Sequence, residues 1–87
     1  MANYNIVFKQ SVAKDLKSIP KKDVQRILTR IESLAEEPRS ALAEKLTGND
    51  SYRIRQGMYR ILYQIEDEVL TVCVVKVAHR REVYRGL

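Results

Sequence analysis

Apolar side chains recur between residues 24 and 35 with the spacing of one helix face. The stripe consists of Val24, Ile27, Leu28, Ile31, Leu34 and Ala35. These positions share one side of a helix with about 3.6 residues per turn, which predicts an amphipathic helix. A shorter apolar pattern precedes it, and Pro20 separates the two because proline disrupts a helix interior but fits a first turn. The sequence therefore predicts a helical hairpin with one apolar face to be covered.

The remaining apolar segments are short β-prone runs, of which residues 59–65 alternate apolar and polar side chains and residues 69–78 are apolar on both faces apart from Lys76. The predicted strands cover residues 4–8, 52–55, 59–65 and 69–78. Short polar segments at Gln56-Gly57 and at residues 66–68 separate the last three strands at hairpin length. The order β-α-α-β-β-β predicts an α+β fold, with the helical hairpin packed on one face of a mainly antiparallel four-stranded sheet. The length favours a single domain over residues 1–87, while the pairing of the first strand stays open.

The other face of this sheet is predicted to carry arginines. Arg53 and Arg55 are two residues apart, so their side chains point to the same face of a strand. Arg60 alternates with the apolar positions of the next strand, which places it on the face away from the helices. The residues that closely follow the last strand are Arg80, Arg81 and Tyr84. Together these side chains could form one anion-binding surface, although each arginine alone is also compatible with an ordinary solvated position.

The charge balance indicates a polyanionic partner. The 87 residues include 16 Lys and Arg against 11 Asp and Glu, a formal net charge of +5. Such an excess is typical of nucleic-acid binding, or else of ordinary solubility. Residues 46–87 contain six Arg and one Lys, whereas residues 1–45 contain three Arg and six Lys. Because a guanidinium binds phosphate through paired hydrogen bonds, the C-terminal half is the predicted phosphate contact.

The composition argues against several other kinds of site. A single cysteine, Cys73, excludes a disulfide framework, and one histidine without paired carboxylates provides no metal-ligand set, so neither metal nor cofactor is expected. No apolar run spans a membrane and no signal segment precedes the domain, so a cytoplasmic protein without membrane contact is expected. A metal-free reaction of RNA remains possible, in which the ribose 2′-hydroxyl attacks and the protein supplies a base, cations and an acid.

Three short motifs in the C-terminal half resemble a known family. They are Tyr52-Arg53-Ile54-Arg55, Tyr59-Arg60-Ile61-Leu62-Tyr63 and His79-Arg80-Arg81-Glu82-Val83-Tyr84. In this order and spacing they are similar to the RelE branch of the RelE/ParE superfamily of toxins from type II toxin–antitoxin systems. The first strand, the helix pair and the loop around Lys45-Leu46-x-Gly48 also fit, so the resemblance covers nearly the whole chain. It implies a ribosome-dependent messenger-RNA endonuclease that cleaves codons in the ribosomal A site.

The resemblance also implies partners and residue roles. The expected partners are a RelB-like antitoxin, the 70S ribosome with its mRNA, and operator DNA only through the antitoxin complex. By position, Arg60 matches a phosphate-binding arginine, Arg80 an arginine proposed as general acid, and Tyr84 a tyrosine that holds or activates the cleaved nucleotide. The predicted catalytic residues are therefore Arg55, Arg60, Arg80 and Tyr84. The predicted RNA-binding residues are Arg53, Arg55, Arg60, His79 and Arg81.

One departure from the family concerns the general base. Arg53 and Arg55 stand where the best-known RelE has two lysines, and an arginine stays protonated at ordinary pH. If the family's base is the second lysine, Arg55 stabilises charge here and another group accepts the proton. His79 is one candidate, because imidazole titrates near neutral pH, and Tyr84 is another. His79 is equally compatible with a plain surface histidine at a strand end.

Two other functions are open to this sequence. A ParE-like toxin would poison DNA gyrase and would not cut RNA, although such members generally lack the full set of arginines with a C-terminal tyrosine. A non-catalytic nucleic-acid-binding module would act only as a co-repressor with an antitoxin. Cleavage on translating ribosomes, gyrase-linked DNA breaks, or neither would separate the three functions.

Overall fold

Two helices pack against one face of a five-stranded sheet, which confirms the predicted α+β fold. The computed structural model describes residues 3–47 and 50–80. The strands are β1 (Asn5–Phe8), β2 (Ala43–Lys45), β3 (Ser51–Gln56), β4 (Tyr59–Glu66) and β5 (Thr71–His79), the helices are α1 (Gln10–Lys17) and α2 (Lys21–Ser33), and a single-turn 3-10 helix spans Asp67–Val69. The strand order across the sheet is β1-β5-β4-β3-β2.

The sheet is antiparallel except at β1. This strand pairs with β5 in parallel, with Ile6 opposite Val72 and Phe8 opposite Val74. The other neighbours, from β2 through β3 and β4 to β5, are antiparallel. A parallel pair cannot be joined by a hairpin, and here the two helices belong to the connection that it requires. The first strand thus lies at one edge of the sheet, a position that the sequence had left open.

The predicted count of four strands is wrong, because β2 is a fifth. It has only three residues and pairs with β3, with Glu44 opposite Arg53. Two of its three side chains are charged, so it shows no alternation of apolar and polar positions, and its sequence predicts no strand. The pairing brings a carboxylate next to the arginines of β3.

The apolar stripe of α2 packs against the inner side chains of the sheet. The buried core consists of Val12, Ile27, Ile31, Leu34, Tyr52, Ile54, Ile61, Tyr63, Ile65, Val72, Val74 and Val77. Burying each large aliphatic side chain stabilises the fold by about 1.5–3 kcal/mol relative to leaving it in water. On β3 and β4 the core residues alternate with residues that point to the opposite side, which we call the open face.

A β-bulge changes this alternation within β5. Val74 and Lys76 lie opposite adjacent residues of β4, so Val75 is an extra residue in its strand. Val77 is consequently buried like Val74, although the two are three residues apart. Strict alternation, counted from the start of β5, assigns each residue to one face of the sheet. After the bulge, every side chain points to the other face.

Asp15 fastens α1 to the edge of β5. The last pair between β1 and β5 is Phe8 with Val74, so β1 provides no partner for the backbone of Val77. Asp15 Oδ2 accepts a hydrogen bond from the N–H of Val77 at 3.1 Å, and Lys76 Nζ lies 3.7 Å from Asp15 Oδ1. The Asp15 carboxylate thus takes the place of a β1 backbone acceptor at this edge of β5, and it satisfies the backbone N–H of Val77.

A hydrogen-bonded cluster lies at the end of the sheet far from the turn at Gly57. Arg39, in the segment after α2, donates from Nη1 and Nη2 to the two carboxylate oxygens of Asp67, at 3.0 and 2.8 Å. Its Nε donates to the hydroxyl of Tyr52 at 3.0 Å, and the hydroxyl of Tyr4 donates to Asp67 at 2.7 Å. The cluster therefore ties the turn between β4 and β5 to β3, to the start of the chain and to the segment after α2.

This cluster predicts how stability responds to acid. Hydrogen bonds from Arg39 and Tyr4 lower the pKa of Asp67 from 3.8 to about 2. The carboxylate therefore stays ionised in the folded protein at a pH where it is already protonated in the unfolded chain, and its contribution is present above about pH 4 and lost towards about pH 2. In Asp67→Asn we expect a lower free energy of unfolding at neutral pH and a smaller further loss on acidification, measured by urea unfolding with circular dichroism.

Glu68→Gln is the control for this prediction. Glu68 belongs to the same turn and forms no ion pair within the described residues. This variant should keep the pH dependence of the unmodified protein. If Asp67→Asn lost stability with acid as steeply as the unmodified protein, the ion pair would not be the cause.

Candidate nucleic-acid interface

A cleft of about 330 Å³ lies beside the turn between β3 and β4. Its lining residues are Arg30, Leu42, Glu44, Arg53, Arg55, Gly57 and Arg60. Four of these seven residues are arginines and one is a carboxylate, so the cleft has an excess of positive charge. Several guanidinium groups in a partly enclosed space favour an anionic ligand, because each forms charge-assisted hydrogen bonds and their fields add.

The register of β3 and β4 places Arg55 and Arg60 side by side on adjacent strands. They are directly opposed in the antiparallel pair, and like charges in that relation destabilise a sheet. Arg60 is also only 4% exposed, and taking a charge out of water carries a desolvation penalty. Two guanidinium groups that converge on one cleft are a feature expected of an anion-binding site.

A tight turn at Gly57 produces this pairing. Gly57 has a φ of +59°, a region that residues with a Cβ adopt only at a cost. Gln56 pairs with Tyr59 across the two residues of the turn, and Arg55 and Arg60 are the next pair along the strands. The glycine thus allows the two arginines to face each other immediately behind the turn.

Glu44 is a cleft residue that the sequence analysis missed. Its Oε2 accepts a hydrogen bond from Arg53 Nη2 at 2.9 Å. This bond, with the nearby charges of Arg55 and Arg60, holds the pKa of Glu44 below its usual value, so the carboxylate is ionised at neutral pH. No pattern in the sequence marked Glu44, because its position depends on the register of β2, a strand that was not predicted.

Arg30 adds an arginine to the cleft from α2. Its Nε donates to Gln56 Oε1 at 3.1 Å, at the end of β3, and its side chain lines the cleft. Arg30 falls outside the apolar stripe of α2, so helical periodicity assigns it to the polar face. The periodicity could not show that the polar face meets the end of β3, because that depends on how the helix crosses the sheet.

The structure separates His79 from Arg80. His79 pairs in register with Tyr59, and the two rings meet edge to face with centroids 5.7 Å apart. Because Tyr59 packs against the core, His79 lies on the helix side of the sheet and away from the cleft. The backbone N–H of Arg80 donates to the carbonyl of Met58 at 2.9 Å, which places Arg80 beside the turn that bounds the cleft. The predicted site residues that lie outside the described ranges are Arg81 and Tyr84.

Two other kinds of feature are absent from the part of the chain that the structure describes. No group of three or more His, Cys, Asp and Glu side chains within residues 3–47 and 50–80 is arranged to hold a metal ion. None of the described helices is long and apolar enough to cross a membrane.

The chain is similar to bacterial and archaeal toxins over almost its whole length. A family model described as the ParE toxin of the type II toxin–antitoxin system parDE matches residues 6–84. The toxin RelG of Mycobacterium tuberculosis is 31% identical over 86 residues, which cover 94% of this chain and 97% of RelG. Both matches include every residue that lines the cleft.

Two solved structures with the same fold are toxin–antitoxin complexes. The RelBE2 complex from Mycobacterium tuberculosis contains a chain that matches with a TM-score of 0.80 and 28% identity, over 90% of this chain and 99% of that chain. The archaeal RelE–RelB complex from Pyrococcus horikoshii gives a TM-score of 0.75 and 30% identity, over 90% of this chain and 96% of that chain. These matches confirm the predicted resemblance, and the chain belongs to the RelE/ParE superfamily of toxins from type II toxin–antitoxin systems.

Proposed function

We propose that this toxin is a ribosome-dependent mRNA endonuclease that cleaves codons in the A site and thereby inhibits translation. The cleft carries the proposal, because four arginines surround a space of about 330 Å³ beside a single carboxylate. That donor set suits the phosphates of a nucleic-acid strand. The similarity to RelG and to the toxin chain of a RelE–RelB complex supports the RelE branch of the superfamily.

The proposed reaction uses the 2′-hydroxyl of the RNA as its nucleophile. The oxygen attacks the adjacent phosphorus and displaces the 5′-oxygen of the next nucleotide, and negative charge builds on the phosphoryl oxygens in the transition state. Arg55 and Arg60, which face each other next to the turn, would stabilise that charge. Arg53 and Arg30 would bind neighbouring phosphates. Because the nucleophile belongs to the substrate, this route does not depend on a metal-bound hydroxide.

Residues after β5 complete the proposed site. Arg80 is exposed, and its backbone is anchored beside Met58, so its side chain can approach the leaving 5′-oxygen from the same end of the sheet. We assign it the role of general acid that the family resemblance implies. Tyr84 would stack on a base or hydrogen-bond near the 2′-oxygen, and Arg81 would bind phosphate.

The proposed inhibitor is a RelB-like antitoxin with acidic and apolar side chains. The solved relatives from Mycobacterium tuberculosis and Pyrococcus horikoshii are complexes with antitoxins. Next to the arginines of this chain, Leu42 is 63% exposed and Met58 is 50% exposed, and a protein partner would cover such apolar side chains. Operator DNA would be bound only through that complex.

Cleavage on translating ribosomes tests the proposed function directly. Purified toxin is expected to cut mRNA within the codon in the A site, measured by mapping the 5′ ends of the products. Inhibition of DNA gyrase is the second candidate, because the matching family model is that of ParE. Gyrase-linked DNA breaks without mRNA cleavage would favour that activity, and the absence of both would leave a co-repressor.

Substitutions in the cleft are expected to weaken RNA binding unequally. Arg55 has no ion pair among the described residues, so Arg55→Ala should lower the affinity and reduce the slope of log affinity against log salt by about one unit. Arg53 is already paired with Glu44, and Arg53→Ala should have a smaller effect. Arg60→Lys should keep most of the slope, because it keeps the charge at a buried position.

Fluorescence anisotropy with a labelled RNA at several salt concentrations measures these slopes. Lys14→Ala is the control, since Lys14 is an exposed residue of α1 that does not line the cleft. If the slope of log affinity against log salt in every cleft variant equals that of the unmodified protein, these arginines do not bind phosphate.

Arg80 and Tyr84 are expected to act on the chemical step. A group that takes part in proton transfer contributes about 10²–10⁴-fold, so Arg80→Ala and Tyr84→Ala should each slow single-turnover cleavage at least about a hundredfold, while affinity falls far less. Tyr84→Phe then separates stacking, with a small loss, from a role of the hydroxyl, with a large one. If Tyr84 only anchors the tail, Tyr84→Ala should lower Tm and leave the activity of the folded fraction intact. If both alanine variants cleave at the rate of the unmodified protein, the assignment of Arg80 and Tyr84 to the chemical step is wrong.

A further inference from the structure

The arginines of the cleft cannot accept the proton of the 2′-hydroxyl. A guanidinium stays protonated throughout the pH range in which ribosomes work, so neither Arg53 nor Arg55 can serve as a general base. His79, which the sequence suggested, packs against Tyr59 on the helix side of the sheet. Tyr84, the other candidate from the sequence, lies outside the described residues. Among the described residues, the base has to be another group that reaches the cleft.

Glu44 is the only carboxylate among the described residues that line the cleft. Its strand, β2, places it opposite Arg53, and Arg53 Nη2 donates to Oε2 at 2.9 Å. No hydrogen bond within the described ranges reaches the other oxygen, Oε1. The side chain is 62% exposed, so a ribose can approach it. One carboxylate oxygen is thus held by an arginine while the other is available to accept a proton.

We propose that Glu44 is the general base of the cleavage reaction, an inference that rests on the proposed function. Its carboxylate takes the proton of the 2′-hydroxyl as the 2′-oxygen forms a bond to phosphorus. The bond between phosphorus and the 5′-oxygen breaks, and the leaving oxygen receives a proton from the general acid. The products are a 2′,3′-cyclic phosphate and a 5′-hydroxyl, so protons and charge balance without a further reactant.

The surrounding charges suit this role. The charged groups that line the cleft around Glu44 are Arg30, Arg53, Arg55 and Arg60. Arg53 orients the carboxylate and keeps it ionised, so all of the enzyme carries the base in its active form at neutral pH. The same pairing makes the carboxylate a weaker base. The facing pair Arg55 and Arg60 offsets this by stabilising the charge that develops on the phosphate.

Glu44→Gln tests the proposal, because a base and a mere charge partner of Arg53 give opposite results. If Glu44 is the base, single-turnover cleavage on ribosomes should fall at least about a hundredfold, while RNA binding stays equal or becomes tighter as a negative charge leaves the cleft. If Glu44 only neutralises Arg53, cleavage should stay equal or become faster, and the proposal would be overturned. Glu68→Gln, which removes the same charge at the far end of β4, is the matched control.

Chemical rescue provides a readout that a structural role would not change. In Glu44→Ala, added formate should restore part of the cleavage rate relative to chloride at the same ionic strength, because formate can occupy the vacated space and accept the proton. Glu44→Asp, which keeps a carboxylate on a shorter stem, should retain more activity than Glu44→Gln. Thermal unfolding of each variant shows whether a loss of rate reflects loss of fold. Lack of rescue in a folded Glu44→Ala protein would overturn the assignment.

The pH profile distinguishes Glu44 from an imidazole base. A histidine base gives a rate that rises between about pH 5 and 8, whereas the hydrogen bond from Arg53 holds the pKa of the Glu44 carboxylate below its usual range, so that this group does not produce such a rise. A rate that rises through this range and loses the rise in His79→Gln would therefore contradict the role of Glu44. If the unmodified toxin does not cleave mRNA on ribosomes, the proposed function fails and this role with it. If it cleaves and Glu44→Gln cleaves equally well, only this role fails.

Discussion

The alternation of core and open-face side chains along β3 and β4 is the constraint on which the rest of the structure depends. Ile54 and Ile61 are buried in the core that α2 covers, and Arg55 and Arg60, their neighbours in sequence, consequently point to the other face. A slip of one residue in either strand would exchange the two sets and force arginines into the apolar core. The core therefore determines where the cleft arginines lie, although it contributes nothing to their chemistry.

Stabilising contacts and the cleft lie at opposite ends of these strands. Arg39 and Asp67 form a bidentate ion pair at the end of the strands away from the turn. Arg55 and Arg60, two like charges on paired positions, lie next to the turn at Gly57. The sheet that brings these like charges together is thus stabilised by an ion pair at its other end. The ion pair of Arg39 with Asp67 is thus spatially separate from the positive charges of the cleft.

Local patterns were sufficient to predict the helical hairpin, the long strands and the open-face position of Arg53 and Arg55, because helical period and alternation are properties of neighbouring residues. They could not place His79. Strict alternation from the start of β5 puts it on the open face, and the bulge at Val75 reverses that direction. They also could not find Glu44, because three residues show no alternation and its partner is fixed only when β2 pairs with β3.

Arginine at positions 53 and 55 separates two tasks that a lysine can combine. An amine can bind phosphate when protonated and accept a proton when neutral, whereas a guanidinium does only the first. The charge contributed by the four arginines of the cleft is therefore constant across the physiological pH range. Proton transfer would have to involve other groups, and Glu44, which lines the cleft, is the one that we propose. It follows that any pH dependence of the chemical step reports on groups other than these arginines.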